Sequence, residues 1–211
     1  MKVLSTNIGE PTTILWRGKE VKTGIYKYPV DQPIFLDKED VAGDHVIDRR
    51  YHGGVDKACY LYAAEHYPFW KEKYPDLDWN YGMFGENLTV SGFQEEAIKI
   101  GSIYQLGTAK VQISRPRQPC YKLGVRFGSP AIIKQFIDSK LSGVYVRVIE
   151  PGSVSAGDEF ILENENIQGI SIKELNTLLF HYNAEEHAEL LKKAVEDPLV
   201  SDDDKKYFPK D

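Results

Sequence analysis

Cysteine is scarce in this chain, with two in 211 residues, and one of them, Cys120, lies in a segment built for chemistry. The segment reads Ser114-Arg115-Pro116-Arg117-Gln118-Pro119-Cys120-Tyr121-Lys122. Each proline fixes its own φ, so the loop is expected to be stiff and to hold its side chains in one arrangement. Neighbouring guanidinium and ammonium groups favour thiolate over thiol, and the thiolate is the form that attacks electrophiles or binds metals. The residues alone also allow a plainer reading, in which Cys120 packs as a small hydrophobe and the arginines face solvent.

Two further segments carry polar groups at suggestive spacing. His52-Gly53-Gly54-Val55-Asp56-Lys57 places paired glycines before an expected strand. Glycines at positive φ let backbone N-H groups approach an anion, while His52 and Lys57 add charge and Asp56 is placed to orient either. Asp48-Arg49-Arg50-Tyr51 just upstream adds an arginine pair, a residue type suited to phosphate. An ordinary glycine turn is the competing reading. In Gly82-Met83-Phe84-Gly85-Glu86-Asn87-Leu88-Thr89, the side chains of Asn87 and Thr89 suit the polar edge of a ring, and Glu86 is an acid, a base or a turn residue.

Other reactive types read as structure. Cys59 sits in an apolar strand pattern and is expected to be a packed thiol. His66, His181 and His187 lack a partner at metal-binding spacing and read as surface or packing residues. A relay of Cys120, His52 and Asp56 would make a thiol hydrolase. Against it, the cysteine follows an arginine-rich strand end rather than a glycine-framed nucleophile turn.

The elements that must position these segments are mainly β. From Val21 to Glu163, short apolar runs alternate with glycine and proline turns, which predicts a compact all-β unit, a barrel or a sandwich. The clearest strands are Ser102 to Leu106, Ala109 to Ser114, Val144 to Glu150 and Asp158 to Leu162, with Lys57 to Tyr62 as another. Ala63 to Tyr74 has helical spacing limited by Pro68, and Ser129-Pro130 reads as an N-cap and first-turn proline before Ala131 to Ser139. Near Gln168 the texture changes to three helix starts: Ser171 with Glu174, Asn183 with Glu186, and Ser201 with Asp204. This predicts a β domain over 1–167 and a small C-terminal α-helical domain over 168–211.

Composition narrows the partners. The net charge of -6 argues against a nucleic-acid surface, because phosphate neutralisation dominates that affinity. The tail from Gln168 is itself acidic, with ten acidic residues against six basic ones. One local basic pocket remains compatible with these numbers. Apolar runs fall far short of the roughly 20 residues that cross a bilayer, and Met1 to Glu10 lacks the apolar core of a secretion signal. No membrane partner and a cytoplasmic location are therefore expected. Two distant cysteines make neither a disulfide framework nor a four-ligand zinc site.

Taken in order, HGGVDKACYLYAAEHYPFW, FGENLTVSG, IGSIYQLGTAKVQISRPRQPCYKL and GVYVRVIEPGSVSAGDEF resemble the YiiM-like branch of the MOSC family. That family is named for the C-terminal domain of molybdenum cofactor sulfurase. The tail is similar to the three-helix extension of that branch. The resemblance implies a β-barrel-rich fold holding the molybdenum cofactor (molybdopterin), with Cys120 as both catalytic residue and metal ligand. It implies cofactor contacts from Lys27, Arg49, His52, Gly53, Gly54, Asp56, Lys57, Asn87, Thr89, Arg115 and Arg117, the arginines suiting the pterin phosphate. The implied activity is reduction of a small N-hydroxylated substrate, a base or related compound. The chain has no flavin or iron-sulfur motif, so a separate electron-donating reductase is implied as partner. A non-catalytic carrier of cofactor or persulfide sulfur is the alternative role.

Overall fold

The computed structural model describes residues 1–47, 49 and 52–209. In chain order its elements are β1 (Lys2–Gly9), β2 (Thr12–Trp16), β3 (Lys19–Thr23), β4 (Lys27–Val30), β5 (Ile34–Leu36), β6 (Cys59–Ala63), α1 (Tyr67–Lys73), β7 (Leu88–Ser91) and β8 (Ile103–Leu106). Then follow β9 (Ala109–Pro116), α2 (Tyr121–Arg126), α3 (Ala131–Ser139), β10 (Val144–Glu150), β11 (Gly152–Val154), β12 (Phe160–Asn164), α4 (Ile172–Phe180), α5 (Ala184–Glu196) and α6 (Asp202–Lys205). All five strands expected from the sequence are present, with ends shifted by at most two residues.

Eight strands form one mixed sheet in the order β12-β8-β9-β10-β6-β7-β1-β4. The β6–β7 ladder is parallel. The fold is mostly β, but the expected closed barrel is not formed: among the described residues no continuous ladder joins the sheet's ends. An isolated bridge, Lys2 with Glu159, is what the two ends share. Beside it Val3 N donates to Asp158 O at 2.8 Å and Phe160 N to Met1 O at 3.0 Å. The two neighbours meet different parts of β1: β4 pairs with Thr6 to Gly9, while the β12 side reaches only Met1 to Val3. Closure needs matched tilt and stagger of all strands, which alternation in the sequence does not encode.

Strand β6 shows how the sheet serves two cores. Successive side chains of a strand point to opposite faces. Cys59, Leu61 and Ala63 accordingly join one buried cluster with the other strands, while Tyr60 and Tyr62 join a second, aromatic cluster with Trp70, Phe84, Leu123 and Phe136. Helices α1, α2 and α3 cover that aromatic face. Pro68 lies in the first turn of α1, where its missing N-H costs nothing, and a 3-10 turn over Ala64–His66 precedes it. Before α3 the cap position is Pro130, and Ser129 makes no side-chain cap there, contrary to expectation. Its carbonyl accepts from Ile132 N instead.

The three C-terminal helices start where their capping residues predict. Ser171 Oγ accepts from Glu174 N at 3.1 Å while Ser171 N donates to Glu174 Oε2 at 2.6 Å, a complete capping box. Asn183 Oδ1 accepts from Glu185 N at 2.9 Å, one residue earlier than the Glu186 position anticipated. Ser201 Oγ accepts from Asp204 N at 3.1 Å. Their buried residues, among them Leu175, Leu178, Ala194 and Phe208, belong to the same cluster as the sheet. No helix among the described residues is long and apolar enough to cross a membrane.

Candidate functional site

β9 ends at Pro116 and α2 begins at Tyr121, so the stiff loop between them carries Cys120 from the sheet to the aromatic cluster. Two cavities meet at that residue. The inner one is narrow, about 80 Å³, and reaches Thr23, Gly24 and Ile25. The outer one is broad, about 530 Å³. His52, Lys57, Cys120, Lys122 and Tyr145 border both.

The inner cavity contains a surplus of positive charge. Its one carboxylate, among the described residues, is Asp44, which pairs with the buried Lys27. Asp44 also accepts from Gly9 N at 3.0 Å and from Asn87 Nδ2 at 3.0 Å. Asn87 Oδ1 in turn accepts from Tyr60 N at 3.3 Å, tying the group to β6. With Asp44 so engaged, Lys57, Arg117 and Lys122 supply net positive charge beside Cys120. Arg117 is buried over the Tyr60 ring at 4.9 Å and the Phe136 ring at 5.8 Å, and donates to the Phe84 carbonyl. Burial opposes its charge, but the phenols of Tyr60 and Tyr145 and the Cys120 thiol outweigh it and raise its pKa. Burial and the neighbouring Arg115 charge lower the Lys57 pKa below the usual lysine value. Burial raises that of Tyr145, which keeps its hydroxyl protonated.

The two cysteines separate cleanly. Cys59 is 1 % exposed and burial pushes its thiol up to about 12, so it is the packed, inert thiol expected. Cys120 is partly exposed at the cavity junction.

Of the residues singled out in the sequence, the structure brings Lys27, His52, Gly53, Lys57, Asn87, Arg117 and Cys120 around the inner cavity, and Arg115 to the outer. Gly53 and Gly54 do take positive φ, 121° and 86°. The Gly54 N-H, however, donates to Glu39 O at 3.2 Å and does not face the cavity. Arg49 pairs on the surface with Glu39 at 2.9 Å and Asp40 at 2.5 Å. It borders a shallow depression behind Lys122 rather than the cleft. Arg50, with Asp48 and Tyr51, lies outside the described residues.

Asp56 lies close enough to Lys57 for its charge to favour the protonated lysine. Its carboxylate accepts from Arg147 Nε on β10 and its carbonyl from Ser114 Oγ at 2.7 Å, which locks the turn onto the sheet. Thr89 is fully buried and donates to Glu86 Oε1 at 2.9 Å, away from the cleft. Glu86 is itself fully buried, accepting from Gly82 N at 2.9 Å, Phe84 N at 3.0 Å and the Tyr67 hydroxyl. It is a turn residue, and it fixes the Phe84 carbonyl that Arg117 uses. Arg115 is spent on the buried carboxylate of Asp204 in α6.

Sequence reasoning missed Asp44, Tyr60 and Tyr145 as lining residues. Asp44 gave no signal beyond a neighbouring glycine, and the tyrosines looked like strand packing. Lys122 was present in the basic loop but not marked as a contact.

The site is thus a basic, thiol-bearing cleft beside an open, mostly β sheet. A MOSC domain model matches residues 48–161, and the chain belongs to the MOSC family. "Uncharacterized protein YflK" of Bacillus subtilis is 42% identical over 179 residues, spanning 85% of this chain and 80% of that protein. A "Reductase" of Gibberella moniliformis is 36% identical over 148 residues, 69% of this chain but 26% of that longer protein. The crystal structure of YiiM from Geobacillus stearothermophilus superposes with a TM-score of 0.79 at 33% identity, covering 97% of this chain and 95% of that one.

Proposed function

We propose that this protein is a molybdenum-cofactor oxidoreductase that reduces N-hydroxylated bases or related N-oxygenated compounds, taking electrons from a separate reductase in the cytoplasm. The observation that carries the reading is the convergence of surplus cations on a partly exposed sulfur at the meeting point of two cavities. Family membership and the relative named as a reductase support it.

The donor set fits the group. Cys120 offers one soft ligand, and among the described residues no cluster of three or more His, Cys, Asp or Glu is arranged to hold a metal ion. A metal held through Cys120 therefore brings its other ligands with it, as an organic metal cofactor does. Lys57, Arg117 and Lys122 would hold an anionic phosphate, with Arg117 fixed in place by the Phe84 carbonyl and two ring faces. When bound, the cofactor supplies the two-electron reduction that converts N-OH to N-H with release of water.

The chain supplies orientation and protons. Removing the oxygen as water consumes two protons, and protonated groups face the junction. The Tyr145 hydroxyl holds its proton, whereas Lys57 Nζ, with its lowered pKa, releases one more readily than an exposed lysine.

The direct test is metal analysis of wild-type protein and Cys120→Ala from a cofactor-competent host. Wild type should carry molybdenum and Cys120→Ala at most a tenth as much. Equal contents would remove Cys120 as the ligand. Loaded protein that shows no turnover of N-hydroxy bases with reductant present would instead indicate a carrier.

A further inference from the structure

One wall of the inner cavity comes from outside the basic loop. Thr23, Gly24, Ile25 and Lys27 line it, from the end of β3 to the start of β4. A connecting segment of this kind has to find partners for its backbone polar groups, and one side chain takes two of its carbonyls. Arg126 Nη1 donates to Ile25 O, and Arg126 Nη2 donates to Lys27 O at 3.1 Å. Its guanidinium also lies over the Tyr26 and Tyr28 rings, 5.1 and 5.5 Å from their centres. The 82–86 turn packs against the same segment so closely that a Cβ on Gly82 would sit 2.7 Å from Lys27 O.

Arg126 is not a residue that packing alone would select. It is 8 % exposed, burial lowers its pKa, and the buried Glu86 supports its charge through space. Burying a cation costs more free energy than burying an aliphatic side chain of similar volume. What the guanidinium adds is a rigid planar fork that holds two acceptors at a fixed spacing. Arg126 is also the last residue of α2, the helix whose N-cap is Cys120. One six-residue helix therefore ties the sulfur at its start to the 25–27 wall at its end.

We propose that Arg126 is a positioning residue of the inner cavity. It fixes the 25–27 wall, with the Lys27–Asp44 pair that this wall carries, in the place relative to Cys120 that lets the cavity hold a small oxyanion. Arg126 is not among the residues lining either cavity, so it acts through the wall it grips. The oxyanion rests on the functional reading above, whereas the clamp stands on the contacts just given.

Two measurements on cofactor-free protein test these parts separately. In calorimetry with inorganic phosphate, Arg126→Ala should bind roughly tenfold or more weakly than wild type, the scale on which losing an orienting partner is felt at a ligand site. Lys134→Ala, which removes an exposed cation from α3, should match wild type within about twofold. Millimolar guanidinium should restore the Arg126→Ala affinity to within about threefold, and methylammonium, which has the charge without the fork, should not. Equal phosphate affinity in Arg126→Ala and wild type, or equal rescue by the two cations, overturns the proposal. Amide hydrogen exchange followed by mass spectrometry reads the wall without an anion. Arg126→Lys keeps the charge but not the fork, and should exchange faster than wild type over residues 24–28 while β10 is unchanged. Unchanged exchange over 24–28 overturns the clamp, and so does equal acceleration along the whole chain, which would make Arg126 a general stability residue. If wild type itself binds no phosphate, the oxyanion reading of the cavity fails, while exchange still decides whether Arg126 sets the wall.

Discussion

The two cavities that meet at Cys120 share five residues, Lys57 and Lys122 among them, yet the cations that are not shared are held differently. In the inner one, Asp44, its one carboxylate among the described residues, is held by Lys27, Asn87 and a backbone N-H, while the buried Arg117 donates to the Phe84 carbonyl. In the outer one, the unshared cations Arg115 and Lys206 pair with the carboxylates of Asp204 and Asp203. A group of cations shows affinity for an anion only where its own counter-charges are fewer than itself. Counting basic residues along the sequence does not reveal this, because Arg115 and Arg117 are two positions apart and behave differently.

The largest expected break of this contrast is Asp44→Asn. It leaves Lys27 buried without its partner, and removing one member of a buried pair costs about 3 kcal/mol. Urea unfolding should show that loss, and a change under about 1 kcal/mol would mean the pair is solvent-screened. A medium effect concerns pH. Binding of inorganic phosphate to the inner cavity requires protonated Lys57, whose pKa lies below the usual lysine value. Phosphate affinity by calorimetry should therefore weaken as pH rises, at lower pH than for an exposed lysine site. A profile identical in Lys57→Met would exclude Lys57 as the group responsible. The smallest effect is Lys206→Ala, which breaks a pair on the outer wall. Molybdenum content should equal that of wild type, and a drop like that expected for Cys120→Ala would erase the distinction between the cavities.

Local chemistry was legible in the sequence to the extent that it is local. Ser171, Asn183 and Ser201 cap helices because their side chains reach N-H groups within three residues, and Gly53 and Gly54 take the positive φ that glycine permits. The stiff loop around Cys120 was readable for the same reason. Long-range partners were not. Asp56 meets Arg147 and Arg115 meets Asp204 across separations of 91 and 89 residues, so neither pairing leaves a trace in spacing. Thr89 looked like a ligand contact, and Glu86 stayed open between acid, base and turn residue, because polar residues beside a glycine turn read alike whether they face a cavity or the core. The open sheet instead of a barrel has the same origin, since β1 meets β4 and the residues leading into β12 from opposite parts of the chain.

The pairing of Arg115 with Asp204 also orders events during synthesis. The Cys120 loop is synthesised before the last helices, and its outer wall does not exist until residues 203–207 have been added and docked. A nascent chain thus carries Cys120 before the outer wall that borders it has been made.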